Sequence, residues 1–168
     1  MLSIAAVTRW GKAMQQRLDG PDREQSRELR RNVLAITQLR MSGKIDEMMR
    51  YFAPDVVVQY HCTKEGLFLP GVLEGRAAFK ENIRLTDIEY EPLGSEVIDI
   101  LVENGDTAVR WRNSWRHRGT GRVSTLDMAH FLRWRSGQVV EVFEYLDYHG
   151  WGPAAASARI DRDEPFGL

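Results

Sequence analysis

The chain has 168 residues, 43% of them hydrophobic and 28% charged, with a formal net charge of −1. That length predicts one domain with a sizeable core, and the near-neutral, evenly spread charge gives no argument for a nucleic-acid or membrane partner. The single cysteine, Cys62, has no partner for an internal disulfide, and no apolar run approaches the roughly 20 residues of a transmembrane helix, so a cytoplasmic protein is expected.

Residues 3–18 fit a short amphipathic helix ended by Asp19-Gly20-Pro21, and 1–22 reads as an N-terminal helical extension. Asp22 then caps a helix over about 23–41. Its Leu29, Val33, Ile36 and Leu39 recur at three- and four-residue spacing and make one buried stripe. Ser42-Gly43 stops that helix. Residues 44–52 make a short third helix with Ile45, Met48, Met49 and Phe52 inward. Pro54-Asp55 breaks it, and Val56 to Cys62 reads as a β-branched strand. After a loop containing Gly and Pro, a helix covers about 75–86 with Ala78, Phe79 and Ile83.

Four further strands are expected at 95–103, 107–117, 122–135 and 138–148. Asn104-Gly105-Asp106, Gly119-Thr120-Gly121 and Ser136-Gly137 are the turns between them. The main domain spans 23–150, and 151–168 is a tail without sustained periodicity. Helices first and antiparallel strands after predict an α+β class with helices on one face of a curved sheet.

The last hairpin carries the clearest chemical signal. In its first strand Leu126, Met128, His130, Leu132 and Trp134 share a face; in its second, Val140, Val142, Glu144, Leu146 and Tyr148 do. A three-residue turn at Ser136 to Gln138 pairs 135 with 139, and therefore His130 with Glu144, with Cβ atoms about 4.5–5.5 Å apart. Inside an apolar wall, an imidazole serves as acid, base or oriented donor, and a carboxylate beside it fixes its tautomer. A core histidine satisfied by a neighbour, and a glutamate ion-paired for structure, would occupy the same positions. Tyr60 is a third candidate, because a phenol is a good donor to a ligand carbonyl although a poor base. A core or rim tyrosine is the alternative.

In strand 107–117, Val109, Trp111, Asn113 and Trp115 alternate with Arg110, Arg112, Ser114 and Arg116. Binary patterning buries the tryptophan face, which makes Trp111, Asn113 and Trp115 pocket-lining, together with Ile36 and Met128. A one-residue slip would reverse every side chain. On the outer face Phe131, Phe143 and Tyr145 alternate with charges and predict a homodimer. His61, His117, His130 and His149 lack metal-ligand spacing, and no Gly-rich phosphate loop occurs, so neither metal nor cofactor is expected.

SGKIDEMMRYFAPDVVVQY (42–60), LEGRAAFKENI (73–83) and SGQVVEVFEYLD (136–147) resemble the NTF2-like, or SnoaL-like, superfamily, and the likeness runs over about residues 24–148. The resemblance implies a cone-shaped α+β fold, with a curved antiparallel sheet and N-terminal helices on its concave face around a pocket. Members include steroid isomerases, polyketide cyclases, dehydratases, epoxide hydrolases and non-catalytic binding or transport proteins, so fold alone does not assign chemistry. In the ketosteroid isomerases the oxyanion-binding tyrosine, the general-base aspartate and the protonated aspartate fall on Ile36, Tyr60 and His130. That mechanism is therefore not implied. The Arg-x-Asp of limonene-type epoxide hydrolases becomes Arg112-Asn113-Ser114, and their last aspartate falls on Glu144. The catalytic glutamate of phenazine-biosynthesis members also falls on Glu144, and their histidine falls near Asn82. Together these readings predict binding of a small apolar carbonyl compound. The expected activity is that of a cofactor-independent isomerase, cyclase or dehydratase, with His130 as acid–base, Glu144 orienting it and Tyr60 polarising the oxygen. The rival is a non-catalytic small-molecule-binding or dimerisation module.

Overall fold

The computed structural model describes residues 21–61 and 71–146. The expected helix 3–18, Cys62, Tyr148, His149 and the tail 151–168 lie outside those residues. Helix α1 runs Pro21–Met41. Proline's fixed φ and missing N–H suit the first helical turn, so Asp22 lies inside the helix rather than capping it. Leu29 and Val33 are buried, and Ile36 and Leu39 pack against the core, as the stripe requires.

The next helix is shorter than the expected 44–52. Helix α2 is Ile45–Met48, a 3₁₀ turn follows at Met49–Tyr51, and β1 already begins at Phe52 and runs to His61. Pro54 therefore sits within a strand instead of ahead of one. Its register with the neighbouring strand shifts between Phe52 and Val57. A residue without an N–H is tolerated there because no regular ladder bond is required of it.

The rest of the fold is β2 (Val72–Glu74), α3 (Arg76–Glu89), β3 (Tyr90–Glu103), β4 (Asp106–His117), β5 (Val123–Arg135) and β6 (Gln138–Leu146). The strands form one sheet in the order β2-β1-β6-β5-β4-β3. The expected α+β cone is present, with one correction. β1 and β6 pair in parallel, so this curved, unclosed sheet is mixed rather than antiparallel. The pairs β3–β4, β4–β5 and β5–β6 are hairpins whose turns the sequence announces, whereas β2, paired antiparallel with β1, is a short strand where only loop was expected. The β1–β6 pair closes over a long sequence separation with no local turn to mark it.

Two hairpins use two-residue turns. Glu103 pairs with Asp106 around Asn104 (φ 51°) and Gly105 (φ 84°), and Arg135 pairs with Gln138 around Ser136 (φ 50°) and Gly137 (φ 77°). Positive φ at both central residues is the turn whose twist matches the strands it joins. The final turn is thus one residue shorter than expected. His130 still meets Glu144, because Trp134 pairs with Val139 and Arg133 with Glu141, leaving Val140 as a bulge. The bulge also flips the facing: Val139, not Val140, is fully buried, and from Val142 onward the even positions point inward. Among the described residues no helix is long and apolar enough to cross a membrane.

Candidate functional site

Register brings the three candidate catalytic residues together. Tyr60 on β1 is the pairing partner of Glu144 on β6, and Glu144 is the partner of His130 on β5. The three therefore form one row across adjacent strands, each about 4.7–4.9 Å from the next, with Glu144 in the middle. All three line a cavity of ≈ 170 Å³ between the inner face of the sheet and helices α1 and α3. The inward row beside them on one side is Val58, Val142 and Leu132; on the other it is Leu146, Met128 and Trp111. The polar row is set in an apolar wall.

His130 Nε2 lies 3.1 Å from Glu144 Oε2, with the two side chains 19% and 13% exposed. The approach is close, yet Nε2 is buried and makes no aligned hydrogen bond among the described residues. Hydrogen bonds weaken steeply away from linearity, so we read the pair as electrostatic proximity rather than a formed bond. Trp111 meets the imidazole edge-on, with centroids 4.4 Å apart. The indole is itself fixed from α1: its Nε1 donates to Thr37 Oγ1 at 3.0 Å, and Thr37 donates to the Val33 carbonyl at 2.9 Å.

Tyr60 is committed differently. Its hydroxyl donates to Asn82 Oδ1 on α3 at 2.8 Å. Nearer the mouth, Asn113 is buried and its Nδ2 donates to Met128 Sδ at 2.8 Å, while its Oδ1 has no partner among the described residues. At the rim, Arg40 makes two hydrogen bonds to Asp87, and its guanidinium sits 5.2 Å from the Trp115 ring centroid.

Ile36, Trp111, Asn113, Trp115 and Met128 all line the same cavity. The tryptophan face of β4 is buried and its arginines point outward. Among the lining residues that escaped the sequence reading as ligand contacts are Thr37, Arg40, Phe79 and Asn82. Arg40 follows Ile36 by four residues, so it caps the same helical stripe, and a charge ending an apolar stripe was a visible signal. Phe79, Asn82 and Thr86 share a face of α3 by the same spacing. Among the described residues no group of three or more His, Cys, Asp or Glu side chains is placed to hold a metal ion.

Residues 33–142 match the SnoaL-like domain. The chain belongs to that family. Its fold is shared with a candidate isomerase from Bacillus subtilis (TM-score 0.67, 12% identity, 73% of this chain and 88% of that one). It is also shared with a candidate polyketide cyclase from Xanthomonas campestris pv. campestris (TM-score 0.63, 19% identity, 76% and 96% covered). A third similar structure is a protein with a ketosteroid isomerase-like fold from Catenulispora acidiphila, in complex with trimethylamine (TM-score 0.61, 14% identity, 71% and 87% covered). At these identities the likeness concerns the fold. No curated protein matches the chain.

In this SnoaL-like domain the positions carried over from the ketosteroid isomerases, Ile36, Tyr60 and His130, do open into one cavity. Their side chains replace two carboxylates and a phenol with a phenol, an imidazole and an alkyl group. The carboxylate of the site is supplied instead by Glu144, from the strand between them.

Proposed function

We propose that this SnoaL-like domain binds a small, largely apolar carbonyl compound and moves a proton beside the carbonyl, as a cofactor-independent isomerase, cyclase or dehydratase. The observation that carries the reading is the single row Tyr60–Glu144–His130 in an otherwise apolar cavity wall. His130 removes the proton from the carbon next to the carbonyl and returns it to the product. Glu144, beside Nε2, orients the ring and stabilises the imidazolium that forms; Tyr60, its proton held by Asn82, faces the substrate from the other end of the row. Water-poor surroundings strengthen each of these interactions. Relatives named for isomerase and polyketide cyclase chemistry agree in class.

One observation favours a second reading, a non-catalytic pocket: the imidazole is packed against Trp111 and its Nε2 is sealed. We further propose a cytoplasmic homodimer joined through the outer face. There Phe131 and Tyr145 are 49% and 45% exposed, and His61 stacks between Phe143 and Tyr145. Light scattering that gives a monomer at micromolar concentration removes that assembly.

The test of catalysis is His130→Gln, which keeps shape and hydrogen bonding while removing the proton switch. Proton exchange at the carbon beside the carbonyl of one-ring ketones, followed in deuterated water, is expected to fall about 10²–10⁴-fold. Glu144→Gln is expected to cost less. A His130→Gln protein that melts lower and binds every ketone as the native protein does, with no exchange to lose, belongs to the second reading.

A further inference from the structure

We propose that the ligand of this cavity is a one-ring molecule that brings a hydroxyl or enol O–H to the Tyr60–Glu144–His130 row, and that Asn82 is the positioning residue that sets this preference. The proposal rests on the cavity being the binding site, as argued above, and adds the ligand's class.

The polarity of the row is the first argument. A phenol has one proton, and Tyr60 spends it on Asn82 Oδ1 at 2.8 Å. Toward a ligand the Tyr60 oxygen is then an acceptor. Glu144, adjacent in the row, is acceptor-only when ionised. A bare ketone would set its oxygen against two acceptors, with only the imidazole able to donate to it. A ligand that carries an O–H on its ring as well as a carbonyl matches the row better: its proton goes to Tyr60 or Glu144, and its carbonyl lies toward His130. On the same wall, nearer the mouth, Asn113 Oδ1 is another buried acceptor with no partner among the described residues.

Size is the second argument. The cavity measures ≈ 170 Å³; an apolar cavity of about 150 Å³ accepts benzene, whereas sites for drug-sized molecules begin near roughly 300 Å³. One substituted ring fits and a four-ring skeleton does not. The walls include flat aromatic surfaces: Phe52 and Phe79 meet edge-to-face with centroids 5.1 Å apart, and Trp111 and Met128 also line the cavity.

Calorimetric titration of the purified full chain with 3-hydroxyacetophenone, acetophenone and estradiol tests both arguments. The hydroxylated ring is expected to bind at least about 10-fold tighter than acetophenone, since a site built for a hydroxyl rejects the analogue lacking it. Estradiol is expected not to bind. Asn82→Leu releases the Tyr60 proton, and the preference should then fall to near unity or invert. Tyr60→Phe removes the acceptor and should weaken 3-hydroxyacetophenone while leaving acetophenone unchanged, which keeps the test decisive if Asn82→Leu misfolds. Equal affinities in the native protein, a preference that survives both variants, tight estradiol binding, or no binding of either small ring at millimolar concentration each overturn the proposal. Hydroxyl preference without proton exchange leaves this inference standing and removes the catalytic reading. Exchange without preference does the reverse.

Discussion

The two faces of the sheet use one device in opposite surroundings. On the outer face, Asp99–Arg110, Glu91–Arg116, Arg112–Asp127 and Arg133–Glu141 are direct cross-strand partners, each with a nitrogen and an oxygen 2.9 Å apart. On the inner face His130 and Glu144 are direct cross-strand partners too, at 3.1 Å. Outside, water solvates both members of the first three pairs and Arg133 of the fourth, and such pairs contribute a fraction of a kcal/mol. Inside, a carboxylate and an imidazole have been taken out of water for an unaligned contact, which burial penalises. The outer pairs are fully explained by the surface they sit on. The inner pair is not explained by stability, and that excess of cost over return is why we propose it as the site.

The largest effect expected from breaking this comparison is on the inner wall itself. Trp111→Ala removes the indole that packs on His130 and leaves Thr37 Oγ1 without its donor. A loss of about 3–5 kcal/mol in urea unfolding is expected for a buried tryptophan. A cost under about 1 kcal/mol would show that the inner wall is loosely packed and that the imidazole is not held by it.

Next comes the pair. Replacing both members, His130→Leu with Glu144→Leu, exchanges a buried polar pair for packing groups. Stability is expected to stay level or rise by about 1–4 kcal/mol while proton exchange vanishes. The matching outer exchange, Arg112→Leu with Asp127→Leu, is expected to leave both unfolding and exchange nearly as they were. A double inner variant that unfolds far more easily would mean that the pair is structural, and the contrast between the faces would collapse.

How much of this was legible in the sequence depends on the range of the interaction. The alternation around Met128, His130 and Leu132 identified the inner face of β5, and the Trp/Arg alternation did so for β4, because period-two patterning is local. His130 opposite Glu144 was reached through a turn one residue too long and an unseen bulge at Val140, two shifts that cancel. Turn length and bulge are set together by strand twist, which no single residue announces. Tyr60 beside Glu144 depends on the parallel β1–β6 pairing, and Tyr60 bonded to Asn82 depends on α3 crossing β1. Neither has a local signature. The helix stripe did contain Arg40, but its partner Asp87 lies 47 residues away, and only folding shows that the charge is neutralised at the rim.

That rim pair sits between the two regimes and gives a smaller prediction. Arg40 and Asp87 are 14% and 29% exposed, so solvent screens them less than the outer ladder and more than the inner pair. Arg40→Met keeps the stem over Trp115 while removing both hydrogen bonds. A cost of about 1 kcal/mol is expected, below that of a fully buried charged bond. No measurable cost would place the rim with the outer face.

The smallest effect belongs to the outer ladder and is best read through pH. The hydrogen bond from Arg112 holds the Asp127 carboxyl below its ordinary value of 3.8; slight burial opposes the shift, and the charges of Arg112 and Arg110 add to it. A carboxyl depressed in the folded state contributes stability above its unfolded pKa and loses it as pH falls through the folded value. Native protein should therefore melt slightly above Asp127→Asn at neutral pH, and the gap should close as pH falls below the ordinary carboxylate range and through the lowered folded value. Concentrated salt should also narrow it, because both partners are exposed and screened. The His130–Glu144 pair, walled off by Trp111 and Leu132, should show little of that salt response in ligand titrations of the native protein. A gap at Asp127 that widens with acid, or an inner site as salt-sensitive as the ladder, would put both pairs in the same environment.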